Sequence, residues 1–110
     1  MRYHVTANEG LRAADQTGEE HYAELLGHGS LMVGYYAPRG SDPQTPHTRD
    51  ETYVIVTGSG RFRCHGDEIA VGSGDMLFVA AGEEHRFVDF TDDFGMWVFF
   101  YGPEGGEAKP

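Results

Sequence analysis

Short apolar runs separated by glycine-containing turns fill the second half of the chain and narrowly limit how it can fold. The runs are rich in β-branched and aromatic side chains, which favour strands. Glycines stand at most of their boundaries and predict tight turns there. The pattern therefore predicts an all-β sandwich or barrel. The predicted strands are residues 52–57, 61–65, 68–71, 76–79, 85–90 and 95–101.

Length and charge restrict the classes of partner. A chain of 110 residues forms one domain. Its formal net charge is -10, from 18 acidic and 8 basic residues, so phosphate backbones and anionic membranes are repelled. We expect a small-molecule partner, with no nucleic acid and no membrane. Cys64 is the only cysteine, which excludes an internal disulfide and is compatible with a reducing cytoplasm, where we expect the protein. No apolar signal segment is seen at the N-terminus.

The first part of the chain carries weaker signals. Residues 18–27 have acids at their start, an apolar face and a final glycine, which predicts a short helix. Residues 30–37 read as a strand, and the prolines that follow forbid regular structure up to residue 46. We therefore divide the chain into an N-terminal extension with a short helix (1–29), a barrel (30–102) and a disordered tail (103–110).

Some strands are apolar on both faces, and residues 95–101 are the plainest example. One face can line a barrel interior. The other face needs cover from the N-terminal helix, a second sheet or another subunit. We therefore expect a homodimer.

A group of polar side chains is expected to converge inside the barrel. Glu51 and Tyr53 share one strand face because side chains alternate along a strand. His85, Phe87 and Asp89 likewise share a face. If both faces point into the same barrel, Glu51 and His85 can meet, and the loop before Glu51 gives His47 freedom to reach the same point.

Residues 40–89 resemble a cupin domain. The first cupin motif has two histidines, then a glutamate and a glycine; the second has spaced glycines, a proline, a histidine and an asparagine. Three residues depart from these motifs: Thr45 takes the first-histidine position, Ala80 the proline position and Asp89 the asparagine position. The matching residues are His47, Glu51 and Gly58 in the first motif, and Gly74, Gly82 and His85 in the second.

The resemblance implies a cupin β-barrel, a double-stranded β-helix or jelly roll, that holds a divalent transition metal. The implied ligands are His47, Glu51 and His85, and the metal would be iron, manganese, nickel or zinc. Two imidazoles and one carboxylate leave open positions on an octahedral metal. Gln44 or Thr45 could add a weak fourth ligand or hold a metal-bound water.

The resemblance also implies chemistry on a small organic molecule. Dioxygenase chemistry best fits an open metal site, with Glu51 and Tyr53 as catalytic residues. An isomerase, cyclase or lyase would use the same Lewis acidity, with Tyr53 or a metal-bound water carrying the proton. A non-catalytic module that binds a sugar or another small molecule is the alternative.

Other side chains are open to more than one interpretation. Gln44, Thr45, Phe87 and Trp97 are candidates to line the pocket, although the aromatic ones could equally form a plain core. Tyr53 could also be a core tyrosine. Cys64 is expected to be a buried, inert thiol.

Overall fold

A computed structural model describes residues 3–108 and confirms an all-β architecture with one short helix. All of the predicted strands are present, with ends shifted by at most two residues. The helix is α1 (Ala7–Asp15), followed by a 3-10 turn (Gly18–Glu20). The strands are β1 (Tyr22–His28), β2 (Leu31–Tyr36), β3 (Asp50–Thr57), β4 (Ser59–Cys64), β5 (Asp67–Gly72), β6 (Met76–Val79), β7 (His85–Val88) and β8 (Gly95–Tyr101).

Two antiparallel sheets face each other and form the predicted barrel. The larger sheet has the order β1-β2-β8-β3-β6, and the smaller has the order β5-β4-β7. Alternate side chains of both sheets point inward, as the period of two requires. Tyr53 and Ile55 of the larger sheet meet Phe62 and Phe87 of the smaller one in a single core. The inward face of β3 is therefore the predicted one.

The helix predicted over residues 18–27 is wrong. The helix lies earlier, and it begins with a capping box in which Thr6 and Glu9 bond each other's backbone amides. The helix packs against β1 and β2, outside the barrel core. The sequence contains the residues of this capping box, Thr6 and Glu9, at the required spacing. The stretch with helix-like spacing forms β1 instead, so the sheet begins before the predicted boundary at residue 30.

A β-bulge explains why β1 resembles a helix in the sequence. Glu24 pairs with Gly34 and Leu26 pairs with Val33, so Leu25 is an extra residue in the ladder. The bulge interrupts the alternation of side chains between the two faces of the sheet, and apolar residues therefore stand at consecutive positions. Apolar residues at adjacent positions and at positions three or four apart are also typical of one face of a helix, so the sequence of β1 resembles that of a helix.

The C-terminal tail packs against the barrel as far as residue 108. The Gly105 amide donates to the Thr48 carbonyl at 2.7 Å, and the Glu107 amide donates to Asp50 Oδ2 at 2.9 Å. The structure therefore differs from the disorder predicted for residues 103–108, and residues 109–110 lie outside the described residues. These bonds tie the tail to the loop that carries His47 and to the start of β3.

The outer face of the larger sheet is only partly covered. Helix α1 lies over Tyr35 and Trp97, whose rings meet edge to face at 5.2 Å. Met76 and Phe78, on the edge strand β6, remain 62% and 53% exposed. The homodimer stays a prediction. Among residues 3–108, no helix has the length and apolar character to cross a membrane.

Candidate metal centre

His47, Glu51 and His85 converge between the two sheets. Glu51 Oε1 lies 3.3 Å from His85 Nε2 and 3.7 Å from His47 Nε2. Their potential ligand atoms all lie within 4.8 Å of one another. The structure thus brings together the three residues that the motif spacing selected.

The fold explains this convergence. Glu51 is the second residue of β3 in the larger sheet, and His85 is the first residue of β7 in the smaller sheet. His47 precedes β3 in a loop, and the Gly82 amide donates to its carbonyl at 2.7 Å. This bond ties the first motif to the turn of the second. It fixes the loop histidine beside the two strand residues.

Glu51 presents a buried carboxylate oxygen that lacks a hydrogen bond. Its side chain is 2% exposed, and Oε1 has no hydrogen-bond donor of suitable geometry within residues 3–108. The nearby imidazole nitrogens are at ion-pair distance but are poorly aligned for a hydrogen bond. A buried anionic oxygen without a partner is costly, and a cation at this point would remove the cost. The donor set therefore fits a divalent metal.

His85 is oriented by the backbone of its own turn. Its side chain is fully buried, and Nδ1 donates to the Glu83 carbonyl at 2.9 Å, which turns Nε2 toward Glu51. A metal-binding histidine is usually oriented in this way by a partner on its other nitrogen. Burial opposes a charge on the ring, but the attraction of the Glu51 carboxylate and the bond to the Glu83 carbonyl prevail, and the pKa of His85 is raised.

His47 sits nearer the opening of the site. Its ring is 5.3 Å from that of His85 and 5.1 Å from that of Phe100, centroid to centroid. Its side chain is 31% exposed, and desolvation by burial lowers its pKa despite the attraction of Glu51. The neutral form, which binds metals, is therefore favoured at neutral pH.

Tyr53 stands beside these ligands on the same face of β3 as Glu51. Its hydroxyl donates to Gln44 Oε1 at 3.0 Å and lies 2.9 Å from His85 Nε2. Burial, followed by the charge of Glu51, raises the pKa of Tyr53 well above its ordinary value. The tyrosine is thus a neutral proton donor within the site.

A cavity of about 440 Å³ opens from this centre. Gln44 and Thr45 line it as predicted, but two other predicted pocket residues do not. Phe87 is buried behind Tyr53, and Trp97 points outward beneath α1. The prediction for Trp97 is wrong because the even positions of β8 face the cavity and Trp97 stands at an odd one. Asp89 also leaves the predicted face, because β7 ends at Val88 and the chain turns with a φ of 50°.

Two residues of the cavity's aromatic wall, Tyr22 and Phe100, were not predicted from the sequence. Tyr22, Tyr36 and Phe100 form an aromatic wall in which Tyr22 meets the other two rings edge to face. Gly34 makes room for Tyr22, since a Cβ at residue 34 would lie 2.6 Å from the Tyr22 ring. Tyr22 was missed because the sequence predicted a helix where the structure has strand β1. The remaining cavity residues that were missed are Glu20, Pro43 and Val98.

Cys64, His65 and Glu83 form a second group of potential metal ligands, at the mouth of a neighbouring, more polar cavity. His65 Nε2 already pairs with Glu83 Oε2 at 2.8 Å, and the His65 side chain is 66% exposed. Burial and the Glu83 charge raise the pKa of the Cys64 thiol, which disfavours the thiolate that a metal requires. This group is a weaker metal site than the one inside the barrel.

Comparison with known proteins agrees with the fold. Residues 32–101 match the Cupin_2 family of cupin domains. The uncharacterized protein SCO3923 of Streptomyces coelicolor is 30% identical over 96 residues, which span 86% of this chain and 91% of that protein.

Solved structures with lower identity share the barrel. A Cupin 2 conserved barrel domain protein from Salinispora arenicola superposes with a TM-score of 0.66 at 19% identity, covering 93% of this chain and 89% of that one. KdgF from Halomonas sp. gives a TM-score of 0.62 at 18% identity, covering 74% and 78%. These likenesses concern the fold.

Proposed function

This chain belongs to the Cupin_2 family of cupin domains, and we propose that it is a metal-dependent enzyme acting on a small organic molecule. The observation that carries the proposal is the buried Glu51 oxygen, which lacks a hydrogen bond and faces two imidazoles at the wall of a cavity. A purely structural carboxylate would have its hydrogen bonds satisfied.

His47, Glu51 and His85 would hold the metal. Iron, manganese, nickel and zinc all accept imidazole and carboxylate ligands. When bound, the metal would polarise an oxygen of the substrate or hold dioxygen beside it. We propose dioxygenase-type chemistry first, because the cavity offers space for two exogenous groups beside the ligands.

The proposed substrate is uncharged, planar and bears oxygen. The cavity contains the carboxylates of Glu20 and Glu51, and no Arg or Lys lines it within residues 3–108. A phosphate or sulfonate would therefore find no cationic partner among the lining side chains. The rings of Tyr22, Tyr36 and Phe100 form a wall suited to a flat molecule. A phenol or an enol meets these requirements.

Two tyrosines have proposed roles toward that substrate. Tyr22 lines the cavity, and its buried hydroxyl lacks a hydrogen-bond partner within residues 3–108, so we propose that it bonds a substrate oxygen. Tyr53 shares its proton with Gln44 and His85 and can pass it to substrate. Proton transfer by Tyr53 also favours a second candidate, an isomerase or lyase that uses no dioxygen.

The test is turnover by the iron(II)-loaded protein over a panel of small uncharged phenols and enols. An oxygen electrode detects dioxygenase activity, and NMR under anaerobic conditions detects isomerisation or elimination. Tyr22→Phe should raise KM with little change in kcat, whereas Tyr53→Phe should lower kcat. Tight ligand binding without turnover, with every metal tested, would instead indicate a non-catalytic binding module.

A further inference from the structure

The Gln44 carboxamide oxygen occupies a central position in the candidate metal centre. Gln44 Oε1 lies 2.9 Å from His47 Nε2 and 3.2 Å from His85 Nε2, and it accepts the Tyr53 hydroxyl at 3.0 Å. Both imidazole nitrogens that would bind the metal thus lie within hydrogen-bond distance of this one oxygen. It is the only neutral side-chain oxygen that the structure places against both of them within residues 3–108.

Asp42 fixes which end of the amide points inward. Gln44 Nε2 donates to Asp42 Oδ2 at 2.7 Å, so the reversed amide would set an oxygen against a carboxylate. Asp42 is 2% exposed and accepts three further bonds, from the Tyr36 hydroxyl at 2.6 Å, the Phe87 backbone amide at 2.9 Å and the Gln44 backbone amide at 3.4 Å. The carboxylate is therefore held by the barrel itself. Gln44 Oε1 is held toward the histidines in consequence.

The spacing of the donor atoms matches a ligand shell. Metal–ligand bonds of about 2.0–2.2 Å place neighbouring ligand atoms about 3 Å apart. The two Gln44–histidine distances are 2.9 and 3.2 Å, and the two Glu51–histidine distances are 3.3 and 3.7 Å. In each of these four pairs the donor atoms are already separated as neighbours in one coordination sphere would be.

We infer that Gln44 is the fourth protein ligand of the metal, taking the place of the histidine that cupins carry at the position of Thr45, and that Asp42 is its positioning residue. The inference rests on the proposed function, since it requires that the site bind a metal. Four protein donors leave two positions of an octahedral metal open toward the cavity. An amide oxygen in place of an imidazole nitrogen makes the donor set harder, which favours Mn²⁺ and Fe²⁺ over softer ions.

The test loads the full chain with Mn²⁺ and counts the coordinated waters by pulsed EPR in D₂O, with affinity measured by titration calorimetry. Gln44→Ala should gain one bound water and lose at least about tenfold in Mn²⁺ affinity. Gln44→Asn, which withdraws the amide by one methylene while keeping its polarity, should also gain one water. Thr45→Ala tests the alternative fourth ligand, and it should keep the wild-type water count if Gln44 is the ligand. Near-UV circular dichroism verifies the fold of each variant.

The outcomes separate the inference from the proposed function. A wild-type chain that binds no Mn²⁺, Fe²⁺, Ni²⁺ or Zn²⁺ would overturn both. Wild-type binding with an unchanged water count in Gln44→Ala and Gln44→Asn would overturn the ligand role of Gln44 and leave the proposed function standing. A water gained in Thr45→Ala alone would assign the fourth position to Thr45 instead.

Discussion

Replacing Glu51 by glutamine should stabilise the metal-free protein while abolishing metal binding. The buried Oε1 lacks a hydrogen bond, and an unsatisfied buried group costs about 1–3 kcal/mol. Glutamine removes the buried charge and places a neutral amide beside His85 Nε2, which lies 3.3 Å from the present oxygen. We expect the free energy of unfolding to rise by about 1–3 kcal/mol at about pH 9. That corresponds to a Tm gain of about 4 °C per kcal/mol at this chain length.

The gain in unfolding free energy from Glu51→Gln should depend on pH, because His85 gains a proton as the pH falls. Because its pKa is raised in the folded protein, protonation of His85 stabilises the wild type fully below the unfolded pKa. That stabilisation is lost as the pH rises through the folded pKa. At about pH 6 the imidazolium pairs with Glu51, so the advantage of glutamine should shrink toward zero or reverse. Chemical denaturation in EDTA at the two pH values measures this difference.

Asp42 supplies the matched control, because it is a second carboxylate that is equally buried. Its oxygens accept bonds from the Tyr36 hydroxyl, the Gln44 amide and the Phe87 backbone. Asp42→Asn should therefore destabilise the protein at both pH values, by about 2–4 kcal/mol. A Glu51→Gln variant that is destabilised by more than about 1 kcal/mol at pH 9 would show that Glu51 is a structural residue, and the reasoning would fail.

Three further predictions concern titration, backbone and assembly. In EDTA, NMR titration should place the pKa of His85 above its ordinary value and that of His47 below it, and the reverse order would contradict the described electrostatics. Gly58→Ala should cost more than about 2 kcal/mol in urea unfolding, because φ is +79° and the new Cβ would meet a backbone carbon 2.8 Å away. Gly66→Ala, with φ of +77° and open space, should cost only about 1 kcal/mol, and equal costs would refute the steric argument. Sedimentation should show a wild-type dimer that Phe78→Lys dissociates, since Phe78 is 53% exposed on an edge strand; a wild-type monomer would disprove it.

The metal centre could be predicted from the sequence because spacing fixes its main parts. Glu51 and Tyr53 are two residues apart on a strongly β-branched strand, so they share a face whatever the exact strand ends. His85 follows a glycine turn that sets the start of β7. Regular alternation therefore predicted that Glu51 and His85 could meet, and the resemblance to the cupin motifs added His47 and implied the ligand set.

The errors arose where the alternation breaks or where contacts are distant in sequence. The bulge at Leu25 disguised β1 as a helix, and the aromatic wall residue Tyr22 was lost with it. Trp97 was placed in the pocket because β8 is apolar on both faces, so composition did not distinguish inside from outside. The bond from Gln44 to Asp42 depends on a loop conformation that neither residue specifies alone.

The central claim is that His47, Glu51 and His85 bind a divalent transition metal inside the barrel. The most direct measurement is the metal content of the untagged protein after incubation with iron, manganese, nickel or zinc and extensive dialysis. The account predicts about one equivalent of metal per chain in the wild type, lost in His85→Ala and Glu51→Gln. Wild-type protein that retains none of the four metals would contradict it, as would His85→Ala protein that retains as much metal as the wild type.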